Sequence, residues 1–241
     1  MHFSNLSDAL VAGGCIRPCT LAKGLKLGSL SPKRVPVALL LTVSGLVVEP
    51  FAWLQSLCFG RTSQTGPYPD DPVVVIGHWR SGTTYLHQLL AANPGAATAR
   101  NHFTIAPQAA LVLKPLLKPL LQRLMTQHRP IDAVPWGAED PQEDEVGLAR
   151  LTMDTNMAGI AFPQNYPRHF RRCVLNSTPE FEQTLLQFTR LTWLHEGAGK
   201  THLVIKNSAH TARVALLLRL FPRARFVYLH RRPIGSVRSL V

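Results

Sequence analysis

The chain has 241 residues, 46% of them hydrophobic and 17% charged, and its 26 Lys and Arg against 14 Asp and Glu give a formal net charge of +12. That length and apolar content suffice for one substantial core and exclude a wholly disordered chain. The four cysteines, at positions 15, 19, 58 and 173, form neither a disulfide framework nor a paired metal signature, so a reducing, cytoplasmic setting is expected.

Residues 1–34 are polar, mildly basic and Gly- and Ser-containing, without the basic start and small-residue cleavage site of a secretory signal. Residues 35–48 are an almost unbroken apolar run, followed by Glu49-Pro50 and a second apolar stretch over 51–59. The first run is short of the ~20 residues a bilayer span needs. Extending it would carry Glu49 and Pro50 into the span at considerable cost. The pattern predicts two helices packed on the protein or lying against a membrane surface, so membrane association through residues 35–59 is expected to be peripheral. Residues 60–71, with Gly60, Gly66, Pro67 and Pro69, read as a linker from an N-terminal segment (1–71) into a second domain (72–241).

Val73–Ile76 reads as a buried strand running into Gly77-His78-Trp79-Arg80-Ser81-Gly82-Thr83-Thr84, a glycine-bounded loop that opens a helix. Gly77 and Gly82 satisfy the first six positions of the phosphate-loop pattern, but Thr83 stands where a nucleotide triphosphatase has its lysine. Backbone N–H groups and the helix N-terminus can still hold a two-charge anion. Thr83 and Thr84 add hydroxyl donors, and Arg80 adds a fork for two anionic oxygens. The set favours a phosphosulfate or bisphosphate over a magnesium-bound triphosphate. The plain alternative is a strand-to-helix turn whose glycines serve only chain reversal.

Residues 93–201 are expected to form helical insertions. The leucine-rich stretch 111–125 is expected in short pieces, broken at Pro115 and Pro119, as core or as an apolar lining. The acids Glu139, Asp140, Glu143, Asp144 and Glu145 either open a helix, where the macrodipole favours them, or supply a general base. Ser177-Thr178-Pro179-Glu180 reads as a capping box for a helix over 181–195. Residues 201–206 and 225–229 then read as parallel strands joined by a crossover helix, and Pro233 opens a last helix. Lys206 ends one strand, Arg231 sits just past the other, and Ser239 lies two helical turns on. Open α/β sheets bind ligands at those carboxyl edges. His210 and Arg213 are expected either against that ligand or on the exposed side of the crossover. Residues 197–241 hold nine Lys or Arg and no acid. They are set among apolar strands, which fits a multiply anionic cofactor better than a specific nucleic-acid partner.

Together these blocks resemble the sulfotransferases that use 3′-phosphoadenosine 5′-phosphosulfate (PAPS), particularly the bacterial branch related to the tyrosylprotein sulfotransferases, over about residues 72–241. The resemblance implies a P-loop-type parallel sheet in a three-layer α/β sandwich. It implies that Gly77, His78, Trp79, Arg80, Ser81, Gly82, Thr83 and Thr84 hold the 5′-phosphosulfate and that Arg231 and Ser239 hold the 3′-phosphate. Lys206 falls where the family has a lysine that steadies the transferring group. The implied reaction is in-line sulfuryl transfer, with PAPS as donor and no metal required. The implied acceptor is a hydroxyl or amine on a small molecule, lipid, carbohydrate or peptide.

Such a transfer needs positioning and charge stabilisation, which Arg80 and Lys206 can supply. The tyrosylprotein sulfotransferases carry a glutamate after the phosphate-loop helix, where this chain has Arg100-Asn101-His102. The run Pro141-Gln142-Glu143-Asp144-Glu145 is similar to one in the bacterial branch, and the resemblance implies that the base comes from the acidic cluster 139–145, with Glu143 and Glu145 the expected residues and His102 behind them. The chain stops at Val241, where sulfotransferases of this type continue through a segment that closes over the adenosine, so an incomplete C-terminal part is expected. A phosphate-loop kinase or triphosphatase, and a catalytically inactive binding protein of the same fold, are the competing readings.

Overall fold

The computed structural model describes residues 14–28, 30–125, 136–161 and 163–238. Four strands, β1 (Val73–Ile76), β2 (Ala96–Ala97), β3 (His202–Lys206) and β4 (Arg225–Tyr228), form a parallel sheet in the order β2-β3-β1-β4. The helices are α1 (Pro18–Leu25), α2 (Val35–Thr65), α3 (Thr83–Ala91), α4 (Asn101–Thr104), α5 (Ala110–Leu124) and α6 (Asp144–Leu151). They continue with α7 (Asn156–Ala161), α8 (Tyr166–Phe170), α9 (Pro179–Glu196), α10 (Val214–Leu220) and α11 (Pro233–Arg238).

β1 and β3 read as continuous apolar runs because both faces of the sheet are covered. On one face Val75, Ala96 and Val204 pack with Leu86 and Leu90 of α3. On the other, Val74, Leu203 and Ile205 join Phe103, Phe181, Leu185, Phe188 and Leu217 in the main core. The outcome is the expected layered α/β fold with helical insertions. In the register Val75 lies opposite Lys206 and Ile76 opposite Tyr228, so the loop after β1 leaves the sheet between the ends of β3 and β4.

Three local expectations need correction. Residues 35–65 form one helix, not two, and it continues through Pro50 over 31 residues. The proline removes one intrahelical hydrogen bond and crowds the preceding turn. Packing offsets this, because the inward stripe Gly45, Val48, Ala52 and Gln55 runs unbroken across the proline. Only residues from Gly66 onward form the linker. Likewise α5 runs through Pro115 and Pro119. Those prolines, four apart, share the solvent side, while Leu113, Leu117 and Leu121, also four apart, are buried on the core side. Carbonyls left without a partner on the solvent side can bond water.

The cap of α9 is one residue later than the capping-box pattern places it. Thr178 Oγ1, not Ser177, accepts from Phe181 N at 3.2 Å, and it also donates to the buried Asp154 Oδ2 at 2.5 Å. Glu180 turns away to Lys23 Nζ, at 3.0 Å, and to Thr152 Oγ1, at 3.2 Å. Thr178→Ala should therefore lose about 1 kcal/mol or more of stability, and Ser177→Ala almost none. Equal urea midpoints for the two variants would refute this cap.

Candidate active site

The loop between β1 and α3 is held by conformations and contacts that a sequence pattern does not display. Gly77 has φ +152° and its position leaves no room for a side chain, since a Cβ there would lie 2.5 Å from Leu229 O and 3.0 Å from Ser81 Oγ. Arg80 and Gly82 take positive φ, +67° and +99°. Gly77 N donates to Thr211 Oγ1 at 2.9 Å, and Ser81 N to His78 O at 3.1 Å. The loop thus closes over the start of α3 and presents that helix's first N–H groups at the carboxyl edge of the sheet. Thr83 is buried and Thr84 half-buried beneath it. His78 is exposed, its Nδ1 2.8 Å from Trp79 O and its ring edge-on to Trp79. Arg231 Nη1 donates to Arg80 O at 3.1 Å, which ties the exit of β4 to the crown of the loop. Ser239 lies outside the described residues.

Lys206, 1% exposed at the end of β3, is the central cation. Its ammonium donates to Thr84 Oγ1 at 3.3 Å and forms an ion pair with Glu143, the residue just before the first turn of α6. Three elements, β3, α3 and α6, therefore meet at one ammonium. Glu143 keeps part of its surface in solvent, with its side chain 26% exposed.

The two glutamates offered as bases are placed differently. Glu145 is buried, and both its oxygens are taken. Asn156 N donates to one, while Asn207 Nδ2 at 2.5 Å and Arg213 Nη1 at 3.0 Å donate to the other. Its geometry is that of a structural anchor. Asp144, between them, faces His210 Nε2 at 3.6 Å. Burial, reinforced by Glu143 and Glu145 on either side, holds the Asp144 carboxyl well above its usual range. Burial, with Arg213 beside it, holds the His210 imidazole well below its own. Neither His210 nor Arg213 lies on an exposed helix side. Arg213 is 2% exposed, bonds Glu145 and Cys173 O, and stacks over the Phe181 ring at 4.1 Å.

The remaining acids serve local structure. Asp140 accepts from Gly137 N at 2.7 Å, and Glu139 pairs with Lys118 at 2.7 Å. His102 belongs to a separate buried cluster, with Nδ1 2.8 Å from Ala138 O and Nε2 3.3 Å from Glu196 Oε1. His195 Nδ1 lies 2.7 Å from the same oxygen. Among the described residues this trio has metal-ligating spacing, its donor atoms lying within 4.8 Å of one another. Arg100 Nε already binds Glu196 Oε2 at 3.1 Å, so the carboxylate has its counter-charge without an ion.

Thr211 and Asn207, which set the loop and brace α6, were not legible as site residues. Their short 3₁₀ turn (Ser208–Ala212) gives no periodic signal, although a run of polar residues straight after a buried strand marks the place. The loop does fit a phosphate-bearing cofactor. Ser81 Oγ is buried inside it and has no hydrogen-bond partner among the described residues, a donor that a phosphate oxygen could accept from.

A parallel sheet covered on both faces, with a glycine-bounded loop at its carboxyl edge and a lysine beside that loop, defines an α/β fold of the sulfotransferase type. The chain belongs to the sulfotransferase family, whose pattern it matches over residues 72–241. It is 28% identical over 201 residues to the omega-hydroxy-beta-dihydromenaquinone-9 sulfotransferases Stf3 of Mycobacterium bovis and Mycobacterium tuberculosis, covering 81% of this chain and 51% of theirs. It thus spans about half the length of these curated relatives. Its fold is similar to the crystal structure of sulfotransferase STF9 from Mycobacterium avium, at 18% identity and TM-score 0.57, covering 81% of this chain and 50% of that one. It is also similar to STF1 from Mycobacterium tuberculosis, at 21% identity and TM-score 0.58, covering 77% and 52%.

His87, on the buried side of α3, bonds Thr98 Oγ1 at 2.6 Å and sits near the site's cations. Burial, then Lys206 and Arg100, lowers its pKa from 6.5 to about 3. The unfolded chain takes up this proton near pH 6.5 and the folded chain only near pH 3, so His87 draws stability down as pH falls across that window. His195 and His210, also held below 6.5 by burial, act in the same direction. Each such group should cost up to ~1.4 kcal/mol per pH unit. Urea denaturation at pH 7 and pH 4.5 should show a smaller acid loss in His87→Asn than in the parent chain. An identical loss would show that His87 does not control the window.

Proposed function

We propose that this chain binds PAPS at the loop 77–84 and transfers its sulfuryl group to the hydroxyl of an apolar, lipid-like acceptor. The observation that carries the reading is the meeting of Lys206, Thr84 and Glu143 at the mouth of that loop. When bound, PAPS supplies an activated sulfuryl group on a phosphate leaving group. Family membership and the names of the mycobacterial relatives, which act on a hydroxylated menaquinone, support the donor class and an apolar alcohol respectively.

The chain's own residues divide the work. The α3 N–H groups, Ser81, Thr83 and Thr84 hold the 5′-phosphate end, and Arg231, with Ser239 in sequence beyond it, is the candidate for the 3′-phosphate. Arg80 and Lys206 stabilise charge on the sulfuryl oxygens and the departing phosphate. Lys206, drawn to the sulfuryl oxygens, would release Glu143. That carboxylate then accepts the hydroxyl proton as the acceptor's oxygen–sulfur bond forms and the sulfur–oxygen bond to phosphate breaks. Burial of Lys206 strengthens its field, since little water is left to screen it.

Two measurements test this. Titration calorimetry with 3′-phosphoadenosine 5′-phosphate should show binding that is lost in Arg80→Ala and Arg231→Ala; an intact chain that does not bind refutes the cofactor reading. Glu143→Gln should keep nucleotide binding while lowering the rate of sulfuryl transfer to a long-chain alcohol by about 10²–10⁴-fold. A Glu143→Gln rate within a few-fold of the parent would remove Glu143 from the mechanism.

A further inference from the structure

The helix α2 is built inside out for a surface helix of a water-soluble domain. Its inward stripe consists of small or polar residues, with Gly45, Ala52, Gln55 and Ser63 buried alongside Val48. Its large apolar side chains face outward, among them Val47 (63% exposed), Trp53 (70%) and Leu57 (85%). Leu39, Val43, Leu46, Phe51 and Leu54 lie exposed along the same helix, and Leu116 and Leu120 are exposed on α5, which packs against it. By length and composition α2 could cross a bilayer, but its contacts with the domain do not suit a spanning helix.

We propose that this outer face docks in the plane of an anionic lipid bilayer, with its apolar side chains among the upper acyl chains. Two observations select this occupant. The first is charge. From residue 14 to 65 the single acid is Glu49, and it is neutralised by Arg17 at 2.5 Å. Exposed Lys33 and Arg34 stand at the start of α2, Arg61 stands near its other end, and Arg123 is exposed near the end of α5. An apolar face with cations at both ends matches acyl chains beneath anionic headgroups, and the long basic side chains can keep their charges at headgroup level.

The second observation is tethering. Cys15 N donates to Ser44 Oγ at 3.1 Å, Arg17 holds Glu49, Gln55 Nε2 donates to Pro107 O at 2.9 Å, and Leu111 N donates to Gln55 Oε1 at 2.8 Å. A helix crossing the bilayer would drag these polar partners into hydrocarbon, where they could not be satisfied. A helix lying in the interface leaves all of them on the protein side. The inference deepens the apolar-acceptor reading by naming the surface that would meet such an acceptor. Its test needs no sulfuryl transfer, so either can fail alone.

The test is flotation of the 241-residue chain with vesicles of phosphatidylcholine containing phosphatidylglycerol, with phosphatidylcholine vesicles as the control. The expected result is co-flotation with the anionic vesicles that weakens at least tenfold with the neutral ones and in the double variant Trp53→Ser, Leu57→Ser. Lys33→Glu, Arg34→Glu should weaken it too, with far-ultraviolet circular dichroism unchanged in all variants because these side chains are exposed. Failure to float with anionic vesicles overturns the proposal, as does undiminished flotation of the Trp53, Leu57 variant. Resistance to carbonate extraction would overturn it in favour of a spanning helix. A lipid-free dimer that Leu57→Ser dissolves would instead assign the face to a second copy.

Discussion

A lysine that ends a central strand and is cut off from water must have a negative partner within reach, and the neighbourhood of the site follows from that need. An unpaired buried ammonium would cost several kcal/mol. The start of α6 supplies the answer as three consecutive acids. Glu143 meets Lys206, Asp144 faces His210 and Glu145 binds Arg213, so the order along α6 repeats the order along the segment that follows β3. Side chains a hundred degrees apart around a helix start are thereby matched to a strand end, a tight turn and the cap of the crossover helix. The docking of α6 on the sheet and the placement of the candidate base are one arrangement.

The same arrangement explains how one stretch of acids takes on unlike roles. Glu145 has donors on both oxygens and is 3% exposed, which suits a brace. Glu143 has one strong cationic partner and an open side, which suits a group that changes partners during a reaction. Asp144 lies between two carboxylates in a dry position, where the neutral acid is the favoured form. Sequence shows three acids in a row; only the angle at which the helix meets the sheet tells them apart.

The parts of the fold that were legible are those governed by local chemistry. The strand, glycine-bounded loop and helix from Val73 to Ala91 fell within a few residues of expectation, because apolar runs and glycines carry that information directly. The crossover and the ends of β3 and β4 were legible for the same reason. β2 was not, because two alanines are no pattern. The prolines of α2 and α5 misled because the energy that holds those helices comes from a buried stripe on one side, which a rule about single residues does not weigh. The cap of α9 shifted by one residue because Asp154, distant in sequence, draws Thr178 into place. Thr211, which pins the loop at Gly77, lies 134 residues away and is brought there only by the parallel pairing of β1 with β3.

Gln55 bonds both a carbonyl and an amide at the start of α5 with its one amide group. Rotating or sliding α2 would break both bonds at once, so the helix is fixed in azimuth and its outer face is locked outward. The buried stripe that packs on the domain and the large apolar side chains that face its surroundings therefore lie on opposite sides of one helix. The outer set can be rewritten, for solubility or for attachment to a chosen support, while the buried stripe keeps its contacts with the core.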